Sequence, residues 1–202
     1  MEAVLRIWNG KPFLWTLLAV PGFLYLYRFW TGTIPMDLVP PPGEMSARLI
    51  IFALMLTPLS MLFRGQRWIA WLIRRRRAFG VTGFAYALLH LLFYALDMET
   101  LDNILAEIGA PGIWTGWGAL LLFLPLALTS NDASMRALKK GWKRLQRLAY
   151  PAAVLMILHW VLIHDGMAEA LLHAAPLAAL EFYRLIHLAR DRSWRGHRSQ
   201  PI

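Results

Sequence analysis

FAYALLHLLFYAL, residues 84–96, carries no formal charge and one titratable group, His90. The apolar run containing it extends back to Ala78, close to the roughly 20 residues that cross a bilayer as a helix. Similar runs recur along the chain, at about 12–30, 47–64, 113–130, 148–164 and 168–188. Of the 202 residues 58% are hydrophobic, and the mean hydropathy is +0.45, too apolar for a water-soluble domain of this size. The expectation is an all-α polytopic membrane protein, with six transmembrane helices bundled into one domain over 1–202. The first run, PFLWTLLAVPGFLYLYRFW, follows a basic residue as a signal peptide would. It is long, rich in Trp and Tyr and lacks a small-residue cleavage site, so it is expected to stay as an anchor. Only loops of up to about 17 residues and short tails remain, leaving no room for a soluble catalytic domain.

Loop charge gives orientation independently, because short loops rich in Lys and Arg stay in the cytoplasm. RGQRWIAWLIRRRR between the second and third runs has six Arg, MRALKKGWKRLQR between the fourth and fifth has six Lys and Arg, and the tail ARDRSWRGHR has four Arg. TGTIPMDLVPPPGEMSA, DMETLDNILAEIGAPG and HDGMAE hold eight of the twelve acidic residues and no Lys or Arg. Both termini are therefore expected in the cytoplasm. The net charge of +9 follows from orientation and from anionic lipid at the inner surface, so nucleic acid is not an expected partner. With no Cys, disulfides, iron–sulfur clusters and cysteine–metal ligation are excluded.

Ionisable groups within spans are candidates for function by default. His90 precedes Asp97, at the acidic end of its helix, by seven residues, or about 10 Å. His159, in AAVLMILHWVLIHD, precedes Asp165 by six residues, about 9 Å. Because both helices run the same way, two imidazoles at matched depth can face each other, which is what a six-coordinate haem iron needs. Leu89, Phe93 and Tyr94 would bury the ring. The alternative is that each His bonds a polar group on a neighbouring helix. His164, a third candidate metal ligand, is about 140° round and about 7.5 Å along the helix from His159, so it cannot reach the same iron from the same side. His173 and His187 read as interfacial, and Glu181 as the partner of Arg184, three residues on. Arg28 and Arg48, the only basic residues on the acidic side, could pair with haem propionates or snorkel to lipid headgroups.

RRRRAFGVTGFAYALLHLLFYAL, the earlier LTPL, the later LALTSNDASMRALKKGWKRLQRLAY and the closing ILHW resemble the ferric-reductase-like transmembrane family. Within it they are most similar to the haem-binding membrane subunits of periplasmic methionine-sulfoxide reductase systems. The resemblance covers about residues 12–189, with its strongest blocks around Arg76, Arg77, Gly80, His90 and Tyr94, and around Thr129, Ser130, Trp142, Leu145, Tyr150 and His159. It implies a b-type cytochrome in the bacterial inner membrane. Electrons would pass outward from a cytoplasmic flavin, a flavin reductase or quinol to a periplasmic molybdopterin enzyme that repairs oxidised methionine. On that model His90 and His159 are the axial haem ligands. Arg74, Arg76 and Arg77, with the Lys139–Arg147 loop, face FMN or a docked flavin reductase, though inner-leaflet charge alone would also place them there. The family pattern has a further His thirteen residues before His159, where this chain has Gln146. One haem b rather than two is therefore expected. The chain shows no acid–base or nucleophilic constellation of its own, so any chemistry belongs to the cofactor. The competing readings are a ferric or quinone-linked reductase with another acceptor, and a non-redox scaffold that kept the fold.

Overall fold

The computed structural model describes the backbone of residues 11–164 and 167–198, and the side chains of 12–163 and 167–190. Among the described residues there is no strand. The helices are α1 (Lys11–Trp30), α2 (Pro35–Leu38), α3 (Pro40–Leu62), α4 (Arg67–Met98), α5 (Leu101–Glu107), α6 (Pro111–Leu128), α7 (Asp132–Leu138), α8 (Lys140–Gln146), α9 (Ala149–His164) and α10 (Met167–Arg198).

Two antiparallel hairpins make the centre. α3 packs along α4, α6 packs along α9, and α10 lies chiefly against α3. Close approach within each hairpin depends on a missing side chain. A Cβ on Gly83 of α4 would stand 2.8 Å from Ile50 Cγ1 and 3.3 Å from the Ser46 carbonyl. One on Gly112 of α6 would stand 2.7 Å from Ile163 Cδ1. Without a hydrophobic force between helices in lipid, such small-residue contacts are what dispersion uses to hold them together. Ile50, Leu54, Phe84, Phe123, Leu126, Ala153 and Leu177 then join both hairpins and α10 in one buried cluster.

The outer surface is apolar. Phe23 is 68% exposed, Leu121 65%, Leu172 72% and Phe182 66%, a pattern that water does not tolerate over a whole bundle and that lipid does. Among the described residues five stretches are long and apolar enough to cross a membrane: Pro12–Trp30, Pro35–Leu62, Arg67–Met98, Pro111–Leu128 and Lys140–Ile163. The sixth expected span falls on α10, a helix whose polar face carries Glu169, His173, Glu181 and Arg184. Arg184 Nη1 donates to Glu181 at 3.1 Å and also to the Tyr150 hydroxyl.

Two of the long helices start well inside expected loops. α3 starts at Pro40, seven residues before the expected 47, because prolines in a first turn lack only N–H groups that have no helical partner there. α4 starts at Arg67, eleven residues before the expected 78. The run WIAWLIRRRR contains no Gly or Pro, and Arg is a good helix former, so its charge marks a membrane face and not a break.

α1 is tied to α4 by one side chain. Pro21 lies inside α1, and the Tyr86 hydroxyl enters the helix beside it, accepting from Gly22 N at 2.9 Å and donating to the Leu18 carbonyl at 2.7 Å. It thereby bridges an i to i−4 donor and acceptor, a recognised cause of helix bending. Tyr86→Phe removes both bonds and is expected to lower stability by about 1–2 kcal/mol, seen as a lower unfolding midpoint of the detergent-purified protein.

Candidate functional site

The two hairpins meet at a pair of histidines. His90 comes from α4 and His159 from α9, with ring centroids 6.0 Å apart and planes at 75°. Each ring is half-buried and anchored on the first helix of its own hairpin. His90 Nδ1–H donates to the Val39 carbonyl at the start of α3, at 2.8 Å. His159 Nδ1–H donates to the Gly112 carbonyl in the first turn of α6, at 2.6 Å. A carbonyl only accepts, so both rings carry their proton on Nδ1 and their lone pair on Nε2. This is the arrangement by which a carbonyl orients a metal-bound imidazole.

The rings border a cleft of about 920 Å³ lined by Glu44, Ala47, Leu91, Tyr94, Trp117, Leu120, Phe123, Met156 and Trp160, among others. Of the residues expected around His90, Tyr94 lines this cleft and donates to Glu107 at 3.2 Å. Phe93 instead packs against Phe29 on α1, and Leu89 is absent from the lining. Metal to imidazole nitrogen bonds are about 2 Å long, so two rings sharing one ion should have centroids about 6 Å apart, as these do. Among the described residues no group of three or more His, Asp or Glu could hold a metal ion. A pair of imidazoles is a donor set that would fit haem iron, whose remaining ligands belong to the macrocycle.

Arg48 is exposed on α3, one turn beyond Glu44. Its Nη2 pairs with Glu44 at 2.6 Å and its Nε donates to His173 at 3.3 Å. His173 in turn stacks on Trp160 at 5.2 Å. Arg48 thus stands at the edge of the cleft through Glu44 and Trp160, which line it, while Arg28 is exposed at the end of α1. The side chain of His164 lies outside the described residues.

At the basic end a second, broader cleft of about 2300 Å³ opens between the hairpins, lined by Arg74, Arg75, Arg76, Arg77, Lys143, Arg147 and Arg184 with Trp142 and Tyr150. Arg76 Nη1 donates to Thr57 at 2.8 Å. Arg77 pairs with Asp132 at 2.6 Å and approaches the Met135 sulfur at 3.4 Å. Trp142 donates to the Thr129 carbonyl at 2.9 Å. Gln146 donates to the Leu126 carbonyl at 3.3 Å and sits 3.5 Å from the Thr129 hydroxyl. Phe123 lines both clefts and is the wall between them. The carbonyls at 39 and 112, and this shared wall, are invisible in sequence, where a backbone acceptor leaves no residue-type signal.

Residues 42–157 match the family described as ferric reductase like transmembrane component; His90 lies inside that stretch and His159 two residues beyond it. Among curated proteins, the chain is 39% identical over 163 residues to the protein-methionine-sulfoxide reductase heme-binding subunit MsrQ of Xanthomonas axonopodis pv. citri, covering 79% of this chain and 73% of that one. It is 35% identical over 201 residues to the protein of the same description from Azospira oryzae, covering 95% and 84%. The MsrQ of Xanthomonas campestris pv. campestris is 38% identical over 164 residues. No solved structure gives a significant match. With hairpins, histidines and basic cleft in one frame and these relatives beside them, the chain belongs to the ferric-reductase-like transmembrane family and groups within it with the MsrQ subunits.

Proposed function

We propose that the chain is the b-type cytochrome subunit of a bacterial inner-membrane electron-transfer system. It would carry electrons from a cytoplasmic flavin, flavin reductase or quinol to a periplasmic molybdopterin methionine-sulfoxide reductase subunit. The observation that carries this reading is the facing pair His90 and His159, each with Nδ1 engaged and its lone pair on Nε2. The names of the relatives support the cofactor and the system. In this reading α10 is the sixth span, and both termini are cytoplasmic on the strength of loop charge.

The site residues divide the work. His90 and His159 are the residues that would hold the iron of a haem. Tyr94, Trp117, Phe123 and Trp160 exclude water from the cleft. Arg48, paired with Glu44 at the edge of the cleft, is the cation for which a propionate would compete. A haem bound there supplies reversible one-electron carriage, with a potential set by ligation, burial and nearby charge.

The basic cleft suits an anionic flavin. Arg74, Arg76 and Arg77 present guanidinium groups able to take a phosphate through forked hydrogen bonds, and Trp142 and Tyr150 offer ring faces or edges to a planar molecule. Among the described residues lining this cleft there is no histidine to ligate a second haem. Thirteen residues before His90 stands Arg77, and thirteen before His159 stands Gln146; both are engaged with their own partners. One haem and one FMN is the composition these residues support.

The first test is a reduced-minus-oxidised absorption spectrum of the purified protein. His90→Ala and His159→Ala are each expected to abolish bound haem while the protein still inserts; a normal spectrum from both variants would refute the reading. For the flavin, titration of FMN fluorescence against the purified protein is expected to show saturable quenching. Arg76→Gln should weaken it roughly tenfold, the value of one charge-assisted hydrogen bond. Equal affinity in the variant removes Arg76 from the site.

A further inference from the structure

We infer that Gly43 and Gly116 are positioning residues for the two histidines, each setting the direction of an Nε2 lone pair by letting the imidazole lie directly on a helix backbone. The inference rests on the ligand assignment proposed above and goes beyond it, since neither glycine could touch the metal.

The evidence is a relation built twice. In the α3–α4 hairpin, His90 Nδ1–H reaches the Val39 carbonyl, and the residue four positions after Val39 is Gly43. In the α6–α9 hairpin, His159 Nδ1–H reaches the Gly112 carbonyl, and the residue four positions after Gly112 is Gly116. Four residues is one helical turn, so in each hairpin the acceptor and the glycine share one face of the first helix. The imidazole from the second helix covers both. A Cβ built on Gly43 would fall 2.9 Å from His90 Nδ1 and 3.2 Å from its Cε1. On Gly116 it would fall 2.7 Å from His159 Nδ1 and 2.8 Å from its Cε1. Contacts under 3.0 Å are essentially never made by real Cβ atoms, so a side chain as small as alanine's must displace the ring.

The same nitrogen that would be struck is the one that donates to the carbonyl. Displacing the ring therefore lengthens or breaks that bond, and the cost of an unmet donor is high where no water can replace the acceptor. The ring answers by tilting, and the lone pair on Nε2 tilts with it. Helix packing alone does not explain the glycines. Gly83, on α4, makes the same α3–α4 interface tight against Ile50 with neither histidine among its nearest atoms.

That difference supplies the test. Gly43→Ala, Gly116→Ala and Gly83→Ala are purified from membranes with His90→Ala and His159→Ala alongside. Haem content, midpoint potential and the low-spin electron paramagnetic resonance spectrum are read per mole of protein. Gly43→Ala and Gly116→Ala are expected to shift the potential and the resonance positions, or to lose haem, while Gly83→Ala keeps the parent's potential and spectrum for the haem it binds. Loss of haem in the first two with Gly83→Ala still loaded counts equally in favour. Full haem content with unchanged potential and spectrum in both Gly43→Ala and Gly116→Ala overturns the inference, as does an equal shift in Gly83→Ala. If the two His variants lose haem while the Gly43 and Gly116 variants match the parent, only the glycine assignment falls. If both His variants keep a normal spectrum, the ligand assignment falls and takes the inference with it.

Discussion

Every polar group that enters an apolar helix bundle must find its partner inside the protein, because lipid offers none. An imidazole brings two such atoms, one to donate and one to accept. In this fold the donating atom of His90 and of His159 is met by a carbonyl at the beginning of a neighbouring helix. That single solution fixes the tautomer, aims the remaining lone pair, and sets the depth of both rings. The walls of the cleft around the rings are mostly apolar and aromatic, with Glu44, Ser46 and Tyr94 as polar members.

The two hairpins meet this requirement in the same way although their sequences share no visible repeat. Each opens with proline-led helical turns near the acidic end, PPPG at 40–43 and PG at 111–112, and presents an early carbonyl to its partner. Each second helix runs back from the basic end and delivers a histidine near its outer part. The duplicated geometry also reaches the basic end, where Arg77 and Gln146 occupy matching positions one helix length below the two histidines. There the symmetry is broken in chemistry. An arginine held by Asp132 stands in one hairpin and an amide held by the Leu126 carbonyl in the other.

Much of this was legible in the sequence, for physical reasons that also mark where legibility ends. Spans 12–30, 113–130 and 148–164 match α1, α6 and α9 to within two residues, because in lipid the apolar run and the helix are dictated by the same constraint. The pair His90 and His159 could be read from depth alone, since equal distances from Asp97 and Asp165 on co-directional helices imply equal height. Helix starts were misread wherever charge or proline stood in for a break. The Arg74–Arg77 run is helical through and through, and Pro40–Pro42 are a first turn, because neither charge nor a missing N–H at that position opposes helix formation. The sixth run, on α10, differs from the others in its polar face: Glu181 and Arg184 pair with each other and with Tyr150 from another helix, a polar seam that hydropathy counts as a penalty and packing uses as a contact. What sequence could not show at all is the carbonyl of Val39 or of Gly112 acting as a partner, since any residue carries one.

The position of Phe123 ties the two clefts into one device. Its ring is buried, and it lines the histidine cleft on one side and the basic cleft on the other. A water-filled passage between the clefts would raise the dielectric around the histidines and expose charge from the arginine run to them, whereas an aromatic wall keeps the two environments separate over the thickness of one side chain. The basic cleft can therefore gather an anionic partner by long-range attraction without carrying that charge or its water into the site above. Phe123 is the bulkiest buried residue of α6, and Ala119 one turn on one side and Leu126 one turn on the other belong to the same buried cluster.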